Sequence, residues 1–292
     1  MRTSPSHYLR LVRIPNVVIA VADVVAGYLY AGGQARDGLL LLVLTLASAC
    51  LYAGGAALND VCDAERDLRE RPERPIPSGR IARRTALRLA VGLLVMGIAL
   101  AGTVSARAGA ISLLLVLSIV LYDSVLKSTP AAPGLMGLCR ALNLSLGMSL
   151  APVVWTTGHI LPLGLMWLYV TSVTIYARTE AGKSSRVRLI GATLGVCIAV
   201  AGLVGLRFIV VGVHDEYLLL VALLFVLIGY RGFRAVVQRT PDRVQQAVKT
   251  FVLSIVLFDA CLTWSARGLV AGLSIGALLV PAMLLGRRFR VT

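Results

Sequence analysis

The sequence predicts an all-α fold, a polytopic membrane helix bundle of nine to ten transmembrane helices forming a single domain over residues 1–292. Three observations predict it. Hydrophobic residues make up 58% of the chain and charged residues 15%, with mean hydropathy +0.83, which is too apolar for a soluble globule. Apolar stretches of about 17 to 23 residues, the length that crosses a hydrocarbon core, recur along nearly the whole chain. The cations between those stretches sort to one side of the membrane.

Taken in order, the stretches fall at roughly 14–33, 38–58, 85–105, 108–126, 133–155, 161–178, 188–206, 216–232, 248–265 and 268–286. The first two are parted by a short turn with Arg36, and the second runs into Asn59. Arg107 separates the third from the fourth, Arg140 lies inside the fifth, and Arg207 closes the seventh. Only Ala266, Arg267 and Gly268 divide the last two. The run from Ile14 is too long for a signal-peptide core, so no cleavable signal is expected.

The net charge of +15 raises the question of nucleic acid, and its distribution answers no. With ten helices and a cytoplasmic N-terminus, the outside loops hold only Arg36, Arg107, Arg207 and Arg267 of the 29 Lys/Arg, and Arg140 is intramembrane. The rest lie inside, as positive-inside sorting and attraction to anionic lipid demand. The expectation is an integral protein of the bacterial inner (plasma) membrane, with its N-terminus and its site on the cytoplasmic side. Five cysteines, an odd number without a C-x-x-C pair, read as small buried hydrophobes rather than a disulfide framework.

Function is written most plainly in N-D-V-C-D-A-E-R-D at 59–67. At 100° per residue, Asp60, Asp63 and Asp67 fall within an arc of about 60° on one helix face, with Asn59 at its edge. Hard cations such as Mg²⁺ take oxygen ligands and at enzyme sites share carboxylates with substrate phosphates. A merely solvated loop has no reason to gather its acids on one face beside the membrane. The arginines interleaved after it, Arg66 to Arg84, read equally as a self-compensating loop.

Two more inside loops hold polar residues. Leu121 to Pro130 carries Tyr122, Asp123 and Lys127, and leads into a helix with Arg140 and Asn143 one turn apart. An arginine that deep either pairs with Asp23 or Asp259 or lines an anion-receiving cavity. The third loop, Tyr176 to Arg186, mixes Glu180 with Arg178 and Lys183.

With these residues in view, the chain resembles the UbiA superfamily of intramembrane prenyltransferases over about two-thirds of its length. Asn59, Asp60, Asp63 and Asp67 match the family's N-D-x-x-D-x-x-x-D, and Arg74, Pro75, Ile76 and Gly79 match its R-P-[IL]-x-x-G. Tyr122 and Lys127 match its Tyr-x-x-x-Lys at a spacing one residue wider. The stretches Leu121–Pro130 and Met136–Asn143 further look like the branch called EboC, a UbiA-like protein of bacterial gene clusters. A second acidic motif, D-x-x-x-D, is usual on helix 6, where this chain offers Glu180 alone between Arg178 and Lys183. Either those cations stand in for metal charge on the diphosphate, or ordinary catalysis is lost.

The resemblance implies helices around a central cavity and transfer of a prenyl group from a prenyl diphosphate to a small, cyclic or aromatic acceptor. It assigns Asp60, Asp63 and Asp67 to Mg²⁺ with Asn59 in support, and Lys127, Arg140, Arg178 and Lys183 to diphosphate oxygens. Tyr122 and Tyr176 would offer π faces to an allylic cation, Glu180 would complete the catalytic set, and Asn143 would orient acceptor or phosphate. A non-catalytic binding or assembly protein is the first rival. A transporter is weaker, because no paired broken helices mark two halves. The D-G-x-x-A-R opening of a CDP-alcohol phosphotransferase is absent.

Overall fold

The computed structural model describes residues 4–151, 155–178 and 185–289, and these residues are helical almost throughout, with no strand. In chain order the helices are α1 (Pro5–Leu11), α2 (Ile14–Tyr30), α3 (Gly38–Cys62), α4 (Ala64–Glu70), α5 (Arg83–Val104), α6 (Ala106–Leu121) and α7 (Ala132–Met148). They continue as α8 (Thr157–Ala177), α9 (Arg186–Gly202), α10 (Leu206–Ile209), α11 (Tyr217–Gln238), α12 (Pro241–Arg267), α13 (Leu269–Ala277) and α14 (Leu279–Arg288). Each apolar stretch predicted from sequence overlaps a helix among the described residues, although the fifth, 133–155, runs past the end of α7 at Met148. Among the described residues eight helical segments are long and apolar enough to cross a membrane, and α2 is a shorter apolar helix of 17 residues. The division between the last two segments falls at Gly268, whose φ of 81° breaks the helix where a side chain would be strained.

Burial sorts the helices into centre and rim. In α12, 61% of the apolar window is buried, against 17% in the α13–α14 segment. α12 packs on α2, α8, α11 and α13, and α2 in turn on α3 and α7. Outward-facing Leu39, Leu42, Val95, Leu114, Leu223 and Val270 are exposed, as side chains solvated by lipid would be. All five cysteines are free thiols, and Cys261 is fully buried while Cys62 is exposed.

One contact positions the site more than any other. α2 and α7 approach through two glycines, Gly27 facing the Leu144 carbonyl and Gly147 facing Val24. A Cβ on Gly147 would sit 2.7 Å from the Val24 carbonyl carbon, so only glycine permits the approach. That closeness sets Asp23 of α2 against Arg140 and Asn143 of α7.

Candidate active site

The acidic motif straddles a helix break. α3 ends at Cys62, and Asp63 (φ −84°, ψ −1°) joins it to α4. The backbone nevertheless keeps helical bonding across the joint, Asp63 N–H donating to the Asn59 carbonyl at 2.9 Å and Asp67 N–H to the Asp63 carbonyl at 2.8 Å. Asn59 and Asp60 thus lie on α3, Asp63 at the corner and Asp67 on α4. All three aspartates are buried.

Buried carboxylates need partners, and here each has a cation. Arg13 Nη2 donates to Asp60 Oδ1 at 2.8 Å and to Asn59 Oδ1 at 3.1 Å. Arg74 Nη1 donates to Asp67 Oδ2 at 2.6 Å and reaches Asp60 Oδ1 at 3.5 Å. Asp63 Oδ2 is held by Lys127 Nζ and, at 2.8 Å, by Arg66 Nη2. Asn59 turns its other end to Asp123, donating from Nδ2 to Oδ1 at 2.7 Å.

Local structure explains each reach. Arg13 joins α1 to α2 in the left-handed region, φ 51°, a conformation costly for a non-glycine residue and held by its surroundings. Burial is the largest single influence and works against its charge, yet Asp60, Tyr52 and Asp123 together hold the guanidinium above its ordinary pKa. The R-P-I-P-S-G loop closes on itself, Ser78 Oγ donating to the Arg74 carbonyl at 2.7 Å and Ile81 N–H to the Pro75 carbonyl at 3.0 Å. Gly79, at φ 72°, makes the turn that sends Arg74 back toward the aspartates. Tyr122–Leu126 forms a π-helical turn at the end of α6.

Behind the motif lies a cavity of about 120 Å³. Arg13, Asn59, Tyr122 and Asp123 line it at the level of the motif, while Arg140 and Asn143 line it farther along α7. Leu51, Tyr52, Leu115, Ile119 and Met136 supply its walls. From Asn59 to Leu51 along α3 it reaches roughly 12 Å. The alternatives for Arg140 prove compatible. Its Nη1 donates to Asp23 Oδ2 at 2.6 Å, and its guanidinium stands over the Tyr52 ring at 5.3 Å while lining the cavity. Asn143 Nδ2 donates to Asp23 Oδ2 at 2.9 Å and to the Ala20 carbonyl at 2.8 Å, and Ser48 Oγ donates to Asn143 Oδ1 at 2.7 Å.

Other expected site residues stand elsewhere. Tyr176 is fully buried and meets the Phe251 ring edge-on, centroids 5.3 Å apart, and is not among the cavity-lining side chains. Arg178 is exposed and donates to the Lys127 and Thr129 carbonyls, the latter at 2.9 Å, so it braces the second loop rather than facing the aspartates. Glu180 and Lys183 lie outside the described residues. Arg13, Asp123 and Tyr52 are present without having been singled out as site residues. Arg13 looks in sequence like a membrane-edge anchor, and only its strained backbone and partners single it out.

Among the described residues no three His, Cys, Asp or Glu side chains come together closely enough to hold a metal ion. The donor set still suits Mg²⁺: it is all oxygen, and Mg²⁺ ordinarily takes one or two carboxylates and draws its other ligands from phosphate and water. Each aspartate lies next to a cation that a diphosphate could recruit.

Residues 20–258 match the UbiA prenyltransferase family. The chain belongs to that family. A digeranylgeranylglyceryl phosphate synthase of Methanopyrus kandleri is 38% identical over 153 residues, 51% of this chain and 56% of that protein. The match therefore spans little more than half of that relative's length. A solved structure described as digeranylgeranylglyceryl phosphate synthase in membranes superposes with TM-score 0.70 at 23% identity, covering 90% of this chain and 98% of the other. A UbiA homolog from Archaeoglobus fulgidus bound to GPP and Mg²⁺ gives TM-score 0.58 at 13% identity, covering 97% and 99%. Both share the UbiA fold with this chain. The relatives carry the synthase name and not that of the expected EboC-like branch. The stretches that suggested EboC form the second loop and part of the cavity lining, through Tyr122, Asp123, Met136, Arg140 and Asn143, and those duties do not distinguish one branch of the family from another.

Proposed function

We propose that this UbiA-family protein is a Mg²⁺-dependent intramembrane prenyltransferase that joins a prenyl group to the hydroxyl of a glycerophosphate-type acceptor. The observation that carries the reading is a buried acidic motif ringed by Arg13, Arg66, Arg74 and Lys127 and opening onto an apolar cavity. Acids for a metal, cations for a diphosphate and dry walls for a chain of isoprene units meet at one place. The synthase names of the relatives favour a glycerophosphate over the cyclic or aromatic acceptor expected from sequence. A product with two geranylgeranyl groups on one glyceryl phosphate requires geranylgeranyl diphosphate and a mono-ether acceptor.

In this reading Asp60, Asp63 and Asp67 would offer carboxylates to Mg²⁺, one or two at a time, and the ion would supply Lewis-acid neutralisation of the leaving diphosphate. Lys127, with Arg13 and Arg74, turns from the aspartates to diphosphate oxygens, as fixed charges in a site screened from water. Arg178, donating to the Lys127 and Thr129 carbonyls, steadies the loop that carries Lys127. Tyr122 and Tyr52 present π faces along the cavity, and the apolar walls keep water from the allylic cation. Arg140 and Asn143 orient the acceptor. Positive-inside sorting sets the site on the cytoplasmic side.

The test is direct. Purified protein in lipid nanodiscs is incubated with geranylgeranyl diphosphate, geranylgeranylglyceryl phosphate and Mg²⁺, and the lipids are analysed by mass spectrometry. A di-ether that forms with Mg²⁺ and not with chelator supports the reading. Tight Mg²⁺-dependent donor binding without any product would make the protein a binder instead.

A further inference from the structure

We infer that Asp123 is the general base that takes the proton from the acceptor hydroxyl as the new ether bond forms. This rests on the proposed transfer to an oxygen acceptor, and it adds a group that neither the acidic motif nor its cations provide.

Chemistry sets the requirement. The donor's C1–O bond breaks and its electron pair leaves with the diphosphate. A lone pair of the acceptor oxygen then bonds to the allylic carbon, and that oxygen must shed its proton. Nothing is oxidised or reduced. Beside the apolar walls of Leu51, Leu115 and Ile119, a fixed side chain takes that proton more effectively than a chance water would.

Among the described residues, Asp123 is the one carboxylate that lines the cavity. Asp60, Asp63 and Asp67 are buried beside it, engaged by Arg13, Arg66, Arg74 and Lys127. Asp123 is buried as well, held through Oδ1 by Asn59 Nδ2 at 2.7 Å, with Lys127 Nζ 3.9 Å from the same oxygen. Its second oxygen, Oδ2, accepts no hydrogen bond from a described residue. The carboxylate is therefore anchored by one oxygen and open at the other, the arrangement of an oriented base. The π-helical turn Tyr122–Leu126 carries it, and such turns recur at functional sites because they turn a side chain inward that an α-helix would aim elsewhere. Arg13 and Asn59 set the diphosphate end of the cavity beside it, so an acceptor oxygen near Asp123 lies next to the carbon being released.

Asp123→Asn keeps the shape and a carbonyl oxygen for Asn59, and it loses the proton-accepting oxygen. In nanodiscs with geranylgeranyl diphosphate, geranylgeranylglyceryl phosphate and Mg²⁺, ether formation should fall at least about 100-fold, while donor affinity stays within about threefold. An acceptor carrying a thiol in place of the attacked hydroxyl, which ionises without help near pH 8.5, should restore transfer in the variant to within about tenfold of the parent. Asp123→Glu should retain more activity than Asp123→Asn. Ether formation by Asp123→Asn within threefold of the parent overturns the base, and so does a parallel loss of donor binding or failure of the thiol acceptor to rescue. If the parent itself makes no ether, the proposed transfer fails and takes the base with it, an outcome distinct from an active parent with an equally active variant.

Discussion

Lys127 Nζ lies 5.8 Å from the centre of the Tyr122 ring, and the π-helical turn Tyr122–Leu126 brings the two together. In an α-helix, residues five apart diverge by about 140°, whereas residues four apart diverge by about 40°. A π turn takes up one extra residue, so this i, i+5 pair stacks as an i, i+4 pair would. The Tyr-x-x-x-Lys spacing, one residue too wide in this chain, is thereby compensated in space. Deleting the exposed Val125 should convert the turn to α-helix and keep Lys127 over Tyr122 and on Asp63. Donor binding should then stay within about threefold of the parent. Inserting an alanine after Val125 rotates Lys127 by about 100° and should weaken donor binding at least about tenfold. Equal affinity in deletion and insertion variants would deny the turn this role.

Arg13 combines two roles that substitution can separate. Its guanidinium bridges Asn59 and Asp60, and its backbone carries left-handed strain of about 1 kcal/mol or more. Arg13→Ala and Arg13→Gly should both lower affinity for geranylgeranyl diphosphate at least about tenfold, since each removes a charge-assisted donor. Arg13→Gly should nonetheless melt at higher temperature than Arg13→Ala, because glycine adopts φ 51° freely. Differential scanning fluorimetry in detergent reads the second effect and filter binding the first. Identical melting of the two variants would remove the strain from the account.

How far the sequence carried the reading depends on the range of each interaction. Helix positions were legible because apolar length is local and the bilayer fixes it, so each of the ten stretches overlaps a helix among the described residues. Asp60, Asp63 and Asp67 were legible because their spacing is local too. What was not legible joins distant segments. Arg13 meets Asp60 across 47 residues, and Asn59 meets Asp123 across 64. Neither pairing leaves a trace in spacing. The break at Asp63 is hidden for a similar reason, since backbone bonding across it stays helical and Ala64, Glu65 and Arg66 after it are good helix formers. Tyr176 looked available because it neighbours charged residues in sequence, yet the packing of α8 on α12 buries it against Phe251.

Metal dependence can be assigned to the aspartates one at a time. Chelation should weaken geranylgeranyl diphosphate binding at least about 100-fold, because the diphosphate must then draw the cations off the three carboxylates with no metal charge to offset them. In Asp60→Asn, Asp63→Asn and Asp67→Asn, the Mg²⁺ concentration giving half-maximal donor binding should rise about tenfold or more. A Mg²⁺ titration that matches the parent removes that aspartate from the metal set.

The buried charges behind the cavity make the last prediction. Arg140 pairs with Asp23, while Asp259 of α12 lies fully buried beside Asp23 and forms no salt bridge of its own among the described residues. Among the described residues Arg140 thus pairs with one of the two carboxyl groups, that of Asp23. Removing one partner of a buried pair leaves an uncompensated charge and costs about 3–5 kcal/mol. Asp23→Asn should therefore lower the melting temperature sharply, and it should also weaken the hold on Asn143, whose Nδ2 donates to the same oxygen. Asp259→Asn removes only the carboxyl that has no cation, so its melting temperature should stay close to that of the parent. Thermal unfolding in nanodiscs separates the two. An Asp259→Asn variant as unstable as Asp23→Asn would mean that Arg140 is shared between both carboxyls and that the pair with Asp23 does not act alone.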